Sequence, residues 1–591
     1  MTDYTPPLDD IRFVLNDVFA IPALWQRIPA LAEIIESDTA DAILEEAAKL
    51  MSAVIHPINQ TGDEEGCTWN NGEVTAPSGF KEAYQTFIEG GWNGLVGDSE
   101  YGGMGMPKTL GCHVEEMLQG ASVAFGLAPM LTAGACLAIK SHASEALKSR
   151  YLPKLYEGSW SGAMDLTEPH AGTDLGIIRT KATPNDDGSY NISGTKIFIT
   201  WGEHDLTENI IHLVLAKLPD APEGSRGISM FLVPKFLVND DESLGERNLV
   251  SCGSIEHKMG IHGSATCVMN YDGAKGWLVG EPHKGLAAMF TMMNDERLAV
   301  GIQSLGVSEL AYQQAAAYAK DRLQGRNPSG VMQLDKVADN LLAHADVRRM
   351  LLTIRARNEA ARAFLTYVAQ CLDLERFSEN DQEQERAADR VALLTPITKA
   401  FISDTSFENT VLAQQVLGGH GYIREWGVEQ LVRDARITQI YEGTNGVQAM
   451  DLLGRKTIAT EGKLLAGFFQ EIDQYCQTLS HEAVEPYKKA LLSLLPKVTE
   501  LTNHLLYKSR QDHHAIGAAA NNFLHLLGYV AYLYMWTKMV AVAVNKEGGF
   551  YRVKCATGRV FLEYLLPQTD SLIKAIYAGS DSLMAFEVSD F

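Results

Sequence analysis

The run Tyr441-Glu442-Gly443-Thr444-Asn445-Gly446 sets a single carboxylate among groups suited to a bound ligand. Gly443 lets backbone approach another molecule closely, while Thr444 and Asn445 offer short polar side chains. Glu442 is the one acid in this run able to take a proton, so the chemistry it suggests is general-base catalysis. The same residues also suit a plain turn with a solvated Glu, and other segments must decide between the two. One is Thr167-Glu168-Pro169-His170-Ala171-Gly172-Thr173-Asp174, whose hydroxyls, rigid Pro and open Gly backbone could reach the edge of a planar heterocycle. Phe198-Ile199-Thr200 adds an apolar ring and a hydroxyl on a β-rich run. In Asn294-Asp295-Glu296-Arg297-Leu298, Arg297 could orient a carboxylate and keep its pKa from rising too far. Arg322 has the fork geometry for a pyrophosphate, and Gly418-Gly419 would admit a ligand closely.

Taken in order, these segments and Lys258-Met259-Gly260-Ile261-His262-Gly263-Ser264-Ala265-Thr266 resemble the acyl-CoA dehydrogenases, flavoenzymes that make α,β-enoyl thioesters. The resemblance covers roughly residues 40 to 455, and the flanking parts look like a longer bacterial subfamily with an extra C-terminal domain. It implies an FAD-dependent enzyme in which Glu442 is the base and Arg297 supports it. It further implies FAD contacts at Met164, Leu166, Thr167, Gly172, Thr173, Phe198, Thr200, Arg322, Gln415, Gly418, Gly419 and Thr444. Substrate would meet Thr173, Asn294, Glu296, Arg297 and Gly443. Some family branches carry the base on the pocket helix, at the position of Glu296; here that residue is expected to turn into a salt bridge. The acyl group would be a fatty acyl or a 3-methylmercaptopropionyl chain, the electron acceptor electron-transfer flavoprotein, and the assembly a homodimer whose neighbouring subunit completes each FAD site. Two alternatives stay open, an oxygen-using acyl-CoA oxidase and a noncatalytic helical scaffold of the same fold. No G-x-G-x-x-G follows a first strand, so a Rossmann mode of holding FAD is not expected.

The elements that must position these residues follow from hydrophobic period. Apolar residues recur at three and four through Ile43 to Ile55 and Leu127 to Ile139, which predicts helices, with polar or Gly-rich loops at Thr61 to Gly79 and Gly97 to Gly105. From Ser161 the texture becomes β-rich, with runs at Tyr190 to Thr200, Ile210 to Ala216 and Gly227 to Pro234. Helical period returns at Leu286 to Ala319, Leu334 to Leu372 and Ala387 to Leu417, while Ser378 to Glu385 reads as a solvated connection. The expected fold is mainly α with a central antiparallel β domain. Its parts are an extension 1–40, a helical domain 41–160, a β domain 161–278, a helical bundle 279–458 carrying Glu442, and an extra helical domain 459–591.

The length of 591 residues exceeds one compact core, so several packed units are expected. A formal charge of −24 opposes nonspecific nucleic-acid binding, because a phosphate backbone needs a basic footprint. Eight scattered cysteines without a Cys-x-x-Cys pair read as reduced thiols, with neither a metal site nor a disulfide framework. Met1-Thr2-Asp3-Tyr4-Thr5 has no basic start or apolar segment of a secretory signal, so a cytoplasmic location is expected. The apolar segment Phe523 to Val544 holds His525 and Lys538 and is read as a buried helix, not a membrane span, which leaves peripheral membrane contact open.

Overall fold

The computed structural model describes residues 4–591. Contacts divide the chain into two compact units, Met1–Glu45 with Lys108–Gly120 and Val300–Phe591, and Glu46–Pro107 with Ala121–Ala299.

The unit holding residues 121–299 is built around a seven-stranded sheet. The helix Val123–His142 precedes it, started by Ser122, whose hydroxyl accepts the Phe125 N–H. The strands run in the spatial order Val250–Ile255, Thr266–Val279, Tyr190–Thr200, Lys181–Pro184, Asn209–Lys217 and Trp160–Asp165, with Ile228–Pro234 pairing Thr266–Val279 and Asn209–Lys217. Most neighbours are antiparallel, but Trp160–Asp165 pairs with Asn209–Lys217 in parallel, so the sheet is mixed. A strand followed by a long excursion through residues 166–208 before its neighbour is free of the hairpin that forces antiparallel pairing. Leu131, Ile139 and Tyr151 from the helices join Trp160, Leu213 and Met230 from the sheet in one buried core.

The other unit is helical. Its long members are Gly285–Asp321, whose first part belongs to the sheet-bearing unit, then Ala345–Phe377, Asp381–Leu417 and Val428–Ile437. The last 130 or so residues add Lys463–Thr478, Glu485–Lys508, Ala515–Ala543 and Gly549–Val560. Helix Ala515–Ala543 is buried along most of its length and donates from Trp536 Nε1 to the Ala356 carbonyl at 3.2 Å. Within this unit a buried ionic cluster ties distant segments together. Arg362 donates from Nε and Nη2 to Glu116 at 2.8 and 2.6 Å and to Glu309 at 3.2 Å, and Lys554 pairs with Glu359 at 3.0 Å and also with Asp10.

Four local expectations are corrected. Residues 334–340 are not helical: the buried Asp339 carboxylate accepts backbone N–H groups of Asn327, Met332 and Gln333, which shapes an irregular loop instead. The exposed connection at Ser378 to Glu385 is shorter than expected: Asn380 already caps the helix Asp381–Leu417, and Glu383 on its first turn pairs with Arg27 at 2.8 Å. Thr61 to Gly79 holds the end of a helix, Pro57–Glu65, and a hairpin, Thr68–Asn70 with Glu73–Thr75. Gly97 to Gly105 contains one short helical turn, Ser99–Tyr101. Among the described residues two helices are long and apolar enough to cross a membrane, Val123–His142 and Ala515–Ala543, and in each 83% of the most apolar window is buried within the protein.

Candidate active site

In the sheet-bearing unit the structure gathers the Thr167 loop and the Phe198 strand. Strand Tyr190–Thr200 pairs with Thr266–Val279 through Lys196 opposite Met269 and Ile199 opposite Cys267, so Ile197 and Phe198 together face Val268 in a β-bulge. Phe198 takes a left-handed backbone, φ 61°, rare for a bulky residue, and its ring is 59% exposed. The Ile197 N–H donates to the Thr167 carbonyl at 2.9 Å, which joins the loop to the bulge. Thr200 is half-buried opposite Thr266. Met164 is half-buried and Leu166 buried on the approach to the loop, while Gly172 and Thr173 are exposed at its tip. This arrangement fits a flavin: an exposed aromatic ring is held rigidly beside hydroxyl groups and open backbone.

Two residues that the sequence reading passed over hold this loop. Glu168 is 3% exposed and accepts from Arg179 N, Thr180 N, Thr180 Oγ1 and Lys196 Nζ at 2.7, 3.0, 2.6 and 3.0 Å. Lys196, fully buried, also donates to the Leu166 carbonyl at 2.9 Å. Burial alone would push the Glu168 carboxyl up, but the Lys196 charge and these hydrogen bonds hold it below the ordinary range. A signal existed in the sequence, since strand alternation puts Lys196 on the same face as buried Ile192. Lys196→Met is expected to leave Glu168 buried without its cation, loosening the loop at a cost of about 3 kcal/mol or more. Less flavin per chain after gel filtration would show it; unchanged flavin content would count against this role.

On the helix Gly285–Asp321, Arg297 Nη1 donates to Asn294 Oδ1 at 3.1 Å, and the guanidinium lies 5.8 Å from the Phe290 ring centre. Glu296 is fully buried, and its Oε1 lies so close to Gly134 that a methyl group there would come within 2.8 Å. It therefore points inward to the helix Val123–His142.

In the helical unit Glu442 itself has a left-handed backbone, φ 56°, followed by Gly443 at φ 83°. The turn is closed by the Asn445 N–H donating to the Gln439 carbonyl at 3.1 Å, and Gln448 Nε2 reaches the Glu442 carbonyl at 3.4 Å. Asn445 is locked further: its Nδ2 donates to Asp404 Oδ1 at 2.7 Å and Ser403 Oγ at 2.9 Å, and its Oδ1 accepts from Lys399 at 2.8 Å. Tyr441 donates its hydroxyl to Gln303 Oε1. Thr444 caps the helix Asn445–Met450, its Oγ1 accepting the Val447 N–H at 3.4 Å, so its oxygen has a structural duty as well as the expected one.

Arg322 stands exposed just past the end of helix Gly285–Asp321. One turn earlier, Tyr318 bonds His420 Nδ1 at 2.7 Å, next to Gly419, so the structure brings Arg322 and the Gly418-Gly419 turn into one neighbourhood. Gly418, at φ 59°, and Gly419 leave open space where a side chain would sit, and Gln415 is exposed on the preceding helix turn. No group of three or more His, Cys, Asp or Glu residues that could hold a metal exists among the described residues.

Known proteins match this chain along nearly its whole length. Family models match at residues 37–159, 163–274 and 283–456, described as the N-terminal, middle and C-terminal domains of acyl-CoA dehydrogenase, and at 468–587, described as acetyl-CoA dehydrogenase C-terminal like. The chain is 42% identical to a 3-methylmercaptopropionyl-CoA dehydrogenase of Ruegeria pomeroyi, over 98% of this chain and 99% of that one. It is 35% identical to a butyryl-CoA dehydrogenase of Syntrophomonas wolfei, over 98% of each. A crystal structure of an acyl-CoA dehydrogenase complexed with FAD from Bacillus anthracis shares the fold at a TM-score of 0.71, with 21% identity over 94% of this chain and 90% of that one. The chain thus belongs to the acyl-CoA dehydrogenase family, FAD-dependent oxidoreductases, and carries the family's three domains and the additional C-terminal one.

Proposed function

We propose that this enzyme oxidises an acyl-CoA to the trans-2-enoyl-CoA, with Glu442 removing the α-proton. The observation that carries the reading is the strained left-handed backbone of Glu442, fixed in a turn closed by Asn445 and Gln439. A residue in that conformation persists only where its surroundings over-determine it, which is what a positioned base requires. FAD, when bound, supplies the hydride acceptor for the β-hydrogen. Phe198, Thr167, Thr200, Gly172 and Thr173 would hold its ring system, and Arg322 with the Gly418-Gly419 turn its pyrophosphate and adenosine end. The α-proton of a saturated thioester is a poor acid, so the Glu442 backbone N–H is assigned to the thioester oxygen, where negative charge develops. Arg297 is assigned to orienting the base.

The domain limits 41–160, 161–278, 279–458 and 459–591 are proposed as the folding divisions. The acceptor is proposed to be electron-transfer flavoprotein and the location cytoplasmic. A homodimer is supported by Tyr422, Ile423 and Trp426, apolar residues exposed beside the Gly418-Gly419 turn. For substrate, the relatives support a short acyl chain, 3-methylmercaptopropionyl-CoA before butyryl-CoA. Anaerobic mixing of the yellow enzyme with 3-methylmercaptopropionyl-, butyryl- and longer acyl-CoAs should bleach the flavin, fastest with the short thioesters, and air should recolour it slowly. No bleaching by any acyl-CoA would sink the reading. Rapid recolouring with peroxide release would replace it by an oxidase.

A further inference from the structure

The helix Ala515–Ala543 of the C-terminal domain places one polar residue against the bundle helix that supports the Glu442 turn. His525 Nε2 donates to Asp404 Oδ2 at 2.8 Å. The other oxygen of the same carboxylate, Oδ1, accepts from Gln439 Nε2 at 2.6 Å and from Asn445 Nδ2 at 2.7 Å. Gln439 and Asn445 are the two ends of the turn, already joined by the backbone bond that closes it. One carboxylate therefore clamps both ends of the base's turn, and a residue 121 positions away in sequence holds the carboxylate.

The close approach is built in. Gly528 lies one turn beyond His525, and a Cβ there would come within 2.3 Å of the Phe401 ring. Phe401 in turn lies one turn before Asp404 and meets the His525 ring edge to face, centres 5.4 Å apart. The small residue lets the helices touch, and the ring contact fixes the imidazole's direction. Burial would raise the Asp404 carboxyl, yet the bonds and charge from His525, with Gln439 and Asn445, hold it below the ordinary range, so it serves as an ionised acceptor.

We propose that His525 is a positioning residue for the reaction: through Asp404 it fixes both ends of the turn that presents Glu442, making the C-terminal domain part of the catalytic machinery. This rests on the reading of Glu442 as base. With His525 gone, one carboxylate oxygen loses its donor, the carboxylate can turn, and the clamp on Gln439 and Asn445 slackens while the fold around it is kept by the Phe401 contact.

The test uses the full-length, flavin-loaded enzyme with the best acyl-CoA of the panel above. His525→Phe keeps a ring against Phe401 and removes the donor; His525→Gln keeps a donor. His525→Phe is expected to slow the limiting rate of flavin bleaching about tenfold, less than the about 10²-fold that a 1 Å misplacement can cause. Flavin per chain and the half-saturating acyl-CoA concentration should stay within about twofold, and His525→Gln should recover most of the rate. Asp404→Asn should lose a similar factor, and the double variant no more than the larger single loss, since both act through one clamp. Should His525→Phe fail to fold, His525→Gln and Asp404→Asn carry the comparison. An unchanged limiting rate, additive losses in the cycle, or a loss that follows flavin content and is not recovered by Gln overturns the proposal. Flavin bleaching by Glu442→Gln at the parent rate would instead overturn the assignment of the base, whatever His525 does.

Discussion

Glu442→Gln should bind FAD and acyl-CoA as the parent does and lose at least about 10²-fold in the rate of flavin bleaching, the low end for removal of a general base. The amide fills the same volume, so the left-handed turn from Gln439 to Asn445, held by backbone and side-chain bonds that do not involve the Glu442 carboxylate, stays in place. What is lost is the ability to take a proton. Anaerobic stopped-flow bleaching, with the flavin spectrum before and after adding acyl-CoA, separates binding from chemistry. If the variant binds and still bleaches at the parent rate, proton removal is done by another group, and the buried carboxylate of Glu296 becomes the residue to replace.

The second large effect concerns stability. Arg362 is 1% exposed and makes three charge-assisted bonds to Glu116 and Glu309, while Glu116 also contacts His113 Nδ1 at 3.3 Å. Arg362→Met leaves these carboxylates buried without their cation, which costs about 3–5 kcal/mol and should lower the thermal midpoint by roughly 5–10 °C. Arg559→Met, which breaks an exposed pair with Glu563 that solvent screens, should leave the thermal midpoint nearly unchanged. The sign of the pH effect follows from Glu116. Burial would raise its pKa, but Arg362 and the His113 bond bring it below the ordinary value. It therefore stabilises the fold above the unfolded-state pKa, and that contribution is lost as pH falls through the native value. In the variant the carboxyl is no longer held down. The gap in midpoint between parent and variant should be widest near neutral pH and narrow towards acid. A gap that stays constant or widens in acid would show that Glu116 is not the group responsible.

Much of this molecule is legible without coordinates. A helical period giving way to β-rich runs near residue 160 and returning near 285 marks helices, sheet and helices, because burying one face imposes those spacings on any chain. Motif order added the family, and with it FAD. Residue type made Glu442 a candidate base but could not separate it from a turn acid; only the order of the other motifs along the chain raised it above that reading.

Other features exist only once distant segments meet. Nothing in Phe198-Ile199-Thr200 announces a bulge, because the extra residue is defined by pairing with Val268 on another strand. The left-handed backbone of Phe198 and of Glu442 is likewise set from outside, as neither side chain favours it. Glu168 has no evident role in its motif until Lys196 arrives beneath it, and the pairing of Glu383 with Arg27 cannot be seen in the exposed segment Ser378 to Glu385. His525 looked like a blemish in an apolar helix. Its partner Asp404 belongs to another helix, joined to it through a carboxylate that also holds Gln439 and Asn445. Periodicity and residue type are local properties and can be read from the chain; a buried charge or a strained turn takes its meaning from the group that compensates it, and only tertiary packing decides which group that is.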